Sequence, residues 1–109
     1  MLIERFEWDG QKSDANFRVR HVDFPFASRA FDGVTVERDD RRRDYCERRI
    51  IAFGTVDGIQ LTVVYTDREA TPGHVVRRII SAWRSNRRER AIYERAIGGN
   101  AQEAGTGGS

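Results

Sequence analysis

One cysteine, one methionine and two prolines occur in 109 residues, and each scarcity closes off a class of protein. Cys46 alone permits no internal disulfide, which points to a reducing compartment. Cys46, His21 and His74 are too widely spaced for a zinc site. No residue pattern calls for a cofactor. No apolar run approaches the roughly 20 residues of a membrane-spanning helix. The opening MLIERFEWD is charged from its fourth residue and does not read as a signal peptide. The expectation is a soluble, cytoplasmic chain.

Lysine is also nearly absent. Of 19 basic residues only Lys12 is a lysine. A GC-rich genome favours arginine codons, but it does not explain clusters near residues 41–49 and 77–95. The second reads RRIISAWRSNRRERAIYER, with seven arginines and two acidic residues, although the net charge of the chain is only +2. A guanidinium is a fixed, planar fork of donors suited to phosphate or carboxylate. Length and a hydrophobic content of 39% allow one compact core, not two.

Alternation in LIERFEW predicts a short first strand. Asp9 can cap a polar helix, GQKSDANFRVRH. Asp23 can cap a second, short helix carrying Phe24, Ala27 and Phe31, with Pro25 in its first turn and Gly33 at its end. VTVE (34–37) alternates as a strand, and residues 39–44 form a charged loop. RRIIAFG (48–54) suits a strand buried on both faces. Asp57–Gly58 signals a tight hairpin, followed by IQLTVVYT (59–66), in which Ile59, Leu61, Val63 and Tyr65 share a face. DREATPGH makes a loop, and VVRRIISA (75–82) another strand. Asn86 and Glu89 form a capping box for a last helix starting at Arg87, stopped at Gly98. The folded domain is expected over 1–97, with a flexible Gly-rich tail at 98–109. Segregated strands and helices argue an α+β fold.

Three constellations can carry chemistry. In strand 75–82, alternation places Arg78 on the face of Val76, Ile80 and Ala82, where it either snorkels to water or binds an anion. Glu47 and Arg49, two apart before an apolar strand, can pair on the surface or act together, the carboxylate as a proton acceptor in a desolvated site. His21, with an ordinary pKa near neutrality, either caps a helix end or works as an acid or base. Such a set can cleave RNA without a metal: a 2′-hydroxyl is deprotonated, arginines stabilise the five-coordinate phosphate, and the leaving oxygen is protonated. It can equally bind an acidic partner.

The ordered blocks FEWD (6–9) with Lys12 behind it, Asn16 leading to Arg20–His21, and Phe24, Ala27, Phe31 and Asp32 are similar to a known family. Glu47-x-Arg49 before IIAFG, VVYT (63–66) and RIISAWRSNRRERAIYE (78–94) continue the pattern. In these the chain resembles the BrnT-type toxins of bacterial type II toxin–antitoxin systems, small ribonucleases. The resemblance implies a RelE-like fold, with an antiparallel sheet, two N-terminal helices and one C-terminal helix. It implies a metal-independent endoribonuclease that blocks translation. It also implies a cognate BrnA-like antitoxin with a ribbon-helix-helix DNA-binding part, the free toxin being a monomer that assembles with an antitoxin dimer.

Carried over by position, the resemblance puts His21, Glu47, Arg49 and Arg78 in catalysis: Arg49 and Arg78 on the scissile phosphate, Glu47 or His21 on protons. Tyr65, Ser81 and Glu89 fall at motif positions too, Glu89 also as a helix cap; Tyr65, Ser81 and Trp83, with Arg84, Arg87 and Arg88 of the arginine-rich junction, are expected to form a substrate-binding floor. Trp83 stands where many relatives carry arginine, and either stacks a nucleobase or belongs to the core. Two other readings remain at this stage: a non-catalytic module that binds RNA or an acidic partner, and an inactive toxin relic that binds antitoxin.

Overall fold

A computed structural model describes residues 1–106, with the side chains of residues 1–98. The elements are β1 (Leu2–Glu7), α1 (Gly10–Arg20), α2 (Phe24–Ser28) followed by a 3-10 turn (Arg29–Asp32), β2 (Val36–Asp39), β3 (Ile50–Val56), β4 (Ile59–Thr71), β5 (His74–Arg84) and α3 (Arg87–Thr106). The five strands form one sheet in the order β1-β5-β4-β3-β2. The class is α+β, as expected, but the sheet is mixed, because β1 pairs parallel with β5. The chain between those two strands passes through α1, α2 and β2 to β4, so β1 meets β5 in the same direction and not as a hairpin partner.

Local chemistry sets the boundaries. Asp9 accepts hydrogen bonds from the Gln11 and Lys12 amides and so starts α1. Asp23 accepts from the Phe26 amide and starts α2. The capping box at α3 is reciprocal: the Asn86 amide donates to Glu89 and the Glu89 amide to Asn86, both at 2.8 Å. The β3–β4 turn has Asp57 at φ 50° and Gly58 at φ 80°, the left-handed pair that a two-residue hairpin requires.

Four sequence expectations are corrected. The β2 strand lies at Val36–Asp39, two residues beyond VTVE. Residues 48 and 49 are outside β3, since the β2–β3 ladder ends at Asp39–Ile50 and the Asp40 amide then closes the loop on the Arg49 carbonyl at 2.8 Å. DREATPGH is mostly strand, because Pro72 and Gly73 (φ 83°) turn the chain between paired Thr71 and His74. α3 also passes through Gly98, which does not adopt a positive φ; a glycine without that geometry weakens a helix without ending it. Residues 107–109 of the expected tail lie outside the described residues.

A β-bulge has the largest consequence. Val64 pairs with Ser81 but Tyr65 pairs with Ile79, which leaves Ile80 as an extra residue in β5. Alternation therefore resets at Ile80. Arg77, Ile79 and Ala82 share one face with Leu61, Val63 and Tyr65, while Arg78, Ser81 and Trp83 share the other with Thr62, Val64 and Thr66. The expected grouping of Arg78 with Ala82 does not hold.

The first face carries the main core. Leu61, Val63, Ile79 and Ala82 pack under Val22, Phe24, Ala27 and Ala30 from α2 and its flanks. Gly54 lets the 3-10 turn approach, since a Cβ there would lie 3.2 Å from the Ala30 Cβ. On the second face α3 packs against β3, and Gln60 bonds Glu94. α1 follows the outer edge of β5, where the Asn16 amide group donates to the carbonyls of Val22 and Ala82 at 2.6 and 2.8 Å. The half of the second face beyond α3 is left open around Arg78.

Candidate active site

The open half of that face forms a cleft of about 610 Å³. Its floor is the β4–β5 pair, with Thr66 opposite Arg78 and Arg68 further along. One wall is the loop from Asp40 to Arg49, bearing Glu47 and Arg49. The other is the end of β1 and the first turn of α1, bearing Glu7, Asp9 and Lys12. Strand order dictates this arrangement: Glu7 on β1 sits directly opposite Arg78 on β5, and β4 separates Arg78 from the loop before β3.

Arg49 is held in two ways. Its Nε donates to Glu47 at 3.1 Å, and its guanidinium lies 4.0 Å from the Tyr45 ring centroid, a cation–π contact. Face-on stacking leaves the in-plane Nη donors unused. Arg78 is exposed and has no ion-pair partner among the described residues. Neither does Lys12. Arg68 is partly neutralised by Glu7, which accepts at 3.0 Å, and this guanidinium holds the Glu7 carboxyl below its usual range. Four cations, Lys12, Arg49, Arg68 and Arg78, thus line one cavity together with the carboxylates of Glu7, Asp9, Glu47 and Asp67. Among the described residues no group of three His, Cys, Asp or Glu is arranged to hold a metal ion.

The loop wall is fixed at both ends. Thr66 donates its hydroxyl to the Arg48 carbonyl at 2.8 Å. The Asp40 side chain is fully buried and receives Arg42 Nε at 2.8 Å and Nη2 at 2.7 Å. Arg42 in turn lies over the Trp83 ring, 5.6 Å from its centroid, and Arg20 at the end of α1 lies 4.9 Å away. The Trp83 indole N–H donates to Glu89 at 3.1 Å. One indole therefore joins the loop, α1 and α3.

The Arg42 guanidinium holds the Asp40 carboxyl at about 2, below its usual 3.8. A carboxylate with a lowered folded-state pKa contributes stability above its unfolded value, and that contribution disappears as pH falls through the folded one. Replacement Asp40→Asn is expected to cost about 1–2 kcal/mol at pH 7, discounted because Arg42 is half exposed. The difference from wild type should shrink between about pH 4 and pH 2. Urea unfolding at stepped pH measures it, and a difference independent of pH would contradict the ion pair as its source.

The sequence-derived residues separate into groups. Glu47, Arg49 and Arg78 meet in the cleft. Ser81 and Trp83 share its face, Ser81 half-buried opposite Val64 and Trp83 enclosed as described. Tyr65 lies on the opposite face, where its hydroxyl donates to Glu37 at 2.6 Å and Arg77 stacks on its ring at 3.9 Å. Burial and then the Glu37 hydrogen bond push that phenol well above its usual range. His21 is the left-handed C-cap of α1 (φ 61°), its amide donating to the Phe17 carbonyl. It lines a separate cavity of about 180 Å³ with Phe17, Phe26 and Arg84. Arg87 and Arg88 open α3 in solvent. The floor expected from Tyr65, Arg84, Arg87 and Arg88 is therefore not assembled at the cleft: the alternation of β4 puts Tyr65 on the far face, and the β5 bulge and the turn into α3 aim the three arginines elsewhere.

Sequence reasoning missed Lys12, Arg68 and Glu7 as cleft residues. Lys12 had a signal, as the only lysine one turn after a capping aspartate. Arg68 had none, since residues 67–74 read as a loop.

A family model described as ribonuclease toxin BrnT of type II toxin–antitoxin systems matches residues 8–89. The match spans β2 to β5, both helices before them, and the cleft residues Lys12, Glu47, Arg49 and Arg78. A search of curated proteins gave no match.

Proposed function

We propose that this chain, which belongs to the BrnT family of ribonuclease toxins of type II toxin–antitoxin systems, cleaves RNA in the Arg49–Arg78 cleft without a metal and so inhibits translation. The observation that carries the reading is Arg78, a guanidinium without an ion-pair partner among the described residues, on a cavity floor beside the oriented Arg49 and the carboxylate of Glu47. A phosphodiester seated on Arg78 and on the free edge of Arg49 receives charge-assisted hydrogen bonds in a fork geometry. Those contacts strengthen as negative charge builds on the equatorial oxygens in the transition state. Glu47 on the rim accepts the 2′-hydroxyl proton, and the 2′-oxygen attacks phosphorus to give a 2′,3′-cyclic phosphate and a free 5′-hydroxyl.

The RelE-like arrangement, cytoplasmic action and a BrnA-like antitoxin belong to the same proposal. The partner carries a ribbon-helix-helix DNA-binding part, and its dimer takes up two toxin monomers. An acidic antitoxin segment that folds on binding fits a cleft in which Lys12 and Arg78 have no ion-pair partner among the described residues, since coupled folding can wrap such a surface.

Co-expression tests the reading. Arg49→Ala and Arg78→Ala are expected to abolish growth inhibition while retaining capture by the cognate antitoxin. Loss of capture and toxicity together would instead favour a binding module without catalysis.

A further inference from the structure

The proposed reaction has a base and a phosphate site but no group for the leaving oxygen. That oxygen departs as an alkoxide unless it is protonated, and in-line displacement places it on the side of phosphorus opposite the attacking 2′-oxygen. The proton donor therefore has to face Glu47 across Arg78. Strand order specifies what lies there. From Glu47 and Arg49 the floor passes over Thr66 on β4 to Arg78 on β5, then to Glu7 on β1 and the first turn of α1. The side chain on that far wall that carries a donor hydrogen is Lys12. Glu7 and Asp9 are engaged as acceptors, by Arg68 and by the helix amides respectively.

The Lys12 backbone is held in the first turn of α1. Asp9 caps α1 and accepts the Lys12 amide at 3.2 Å, which fixes the first turn, and Ser13 next to it is buried and accepts the Phe24 amide at 3.0 Å. The lysine side chain itself is exposed, lines the cleft and makes no ion pair among the described residues. An arginine would supply charge at this point but surrenders a proton far less readily than an ammonium does.

Resting on the function proposed above, we infer that Lys12 is a catalytic residue, the acid that protonates the 5′-oxygen as the P–O5′ bond breaks. The 2′-hydroxyl proton goes to Glu47, the 2′-oxygen–phosphorus bond forms, and the Lys12 ammonium proton moves to the departing oxygen. A neutral amine and a carboxylic acid remain, and exchange with water resets both.

The test compares two single-stranded substrates that differ in one atom, an ordinary RNA linkage and the same linkage with sulfur as the bridging 5′ atom. A thiolate leaves without a proton, whereas an alkoxide does not. Lys12→Ala is expected to slow the ordinary linkage about 100-fold and to cut the sulfur linkage at a rate close to wild type. Lys12→Arg should restore KM but not kcat on the ordinary linkage. Glu47→Gln should slow both linkages alike, which separates the base from the acid. Since Lys12 is exposed, unchanged melting temperatures are expected for both lysine variants. Equal loss on the two linkages, or no loss on either, would overturn proton donation by Lys12 while leaving the ribonuclease reading intact. A folded wild type that cuts neither linkage would overturn that reading, and this inference with it.

Discussion

Arg78→Ala should lower RNA cleavage by about a thousandfold with no measurable loss of stability, because removing one preformed donor to a developing oxyanion costs about 10²–10³ in rate. The two halves of this expectation have separate structural sources. Arg78 is exposed, is unpaired among the described residues and projects from the sheet face opposite the main core, so truncation leaves no cavity and no orphaned carboxylate. Its backbone is held independently of its side chain. Neighbouring Arg77 lies on the other face with only 13% of its side chain exposed, bonds Asp67 through Nε at 2.8 Å, and is stacked against Phe31 and Tyr65. Arg78→Lys keeps the charge but loses the fork, and should recover only part of the rate. Single-turnover cleavage together with thermal melting measures both halves. An Arg78→Ala protein that melts early, or one that cleaves normally, would remove Arg78 from the site.

Trp83→Ala should have the opposite profile, with a large effect on stability and a small one on chemistry. Truncating a half-buried tryptophan removes packing area, two cation–π contacts and the indole hydrogen bond to Glu89, together worth about 2–4 kcal/mol. For a domain of this size that corresponds to a melting temperature lower by roughly 10–20 °C. Where the variant is folded, cleavage should stay within about tenfold of wild type, because Trp83 reaches the cleft only through Arg42 and the loop carrying Glu47 and Arg49. Trp83→Phe retains the ring and should recover most of the stability. Both guanidiniums near the Trp83 ring, those of Arg20 and Arg42, come from this chain. A Trp83→Ala protein of normal stability but weakened RNA affinity would instead identify the ring as a platform for a base.

Elements defined by local chemistry were legible in the sequence. Asp9, Asp23 and the Asn86–Glu89 pair each satisfy helix-end amides within three residues of themselves, and Asp57–Gly58 encodes its turn through φ alone. What stayed hidden depends on partners distant in the chain. The bulge at Ile80 is a mismatch between β4 and β5, invisible in either strand, and it decides which residues accompany Arg78. The parallel docking of β1 has no local signature either. Residues 67–71 look like a loop because their stability comes from cross-strand pairs such as Asp67–Arg77 and not from an apolar face.

The candidate site divides along the same line. Glu47 and Arg49 were found as a pair because their contact is local, although a loop and not a strand brings it about. Lys12, Arg68 and Glu7 join them only through strand order. Tyr65 sits in the most regular alternation of the chain, and that regularity is what buries it on the far face.

The most direct measurement is cleavage of total RNA by the purified chain in excess EDTA, free of antitoxin, alongside Arg49→Ala and Glu47→Gln. The account predicts cutting by wild type that persists in EDTA, leaves 2′,3′-cyclic phosphate ends and is lost in both folded variants. Folded wild-type protein that leaves RNA intact with and without translating ribosomes, or cutting that EDTA abolishes, would contradict it.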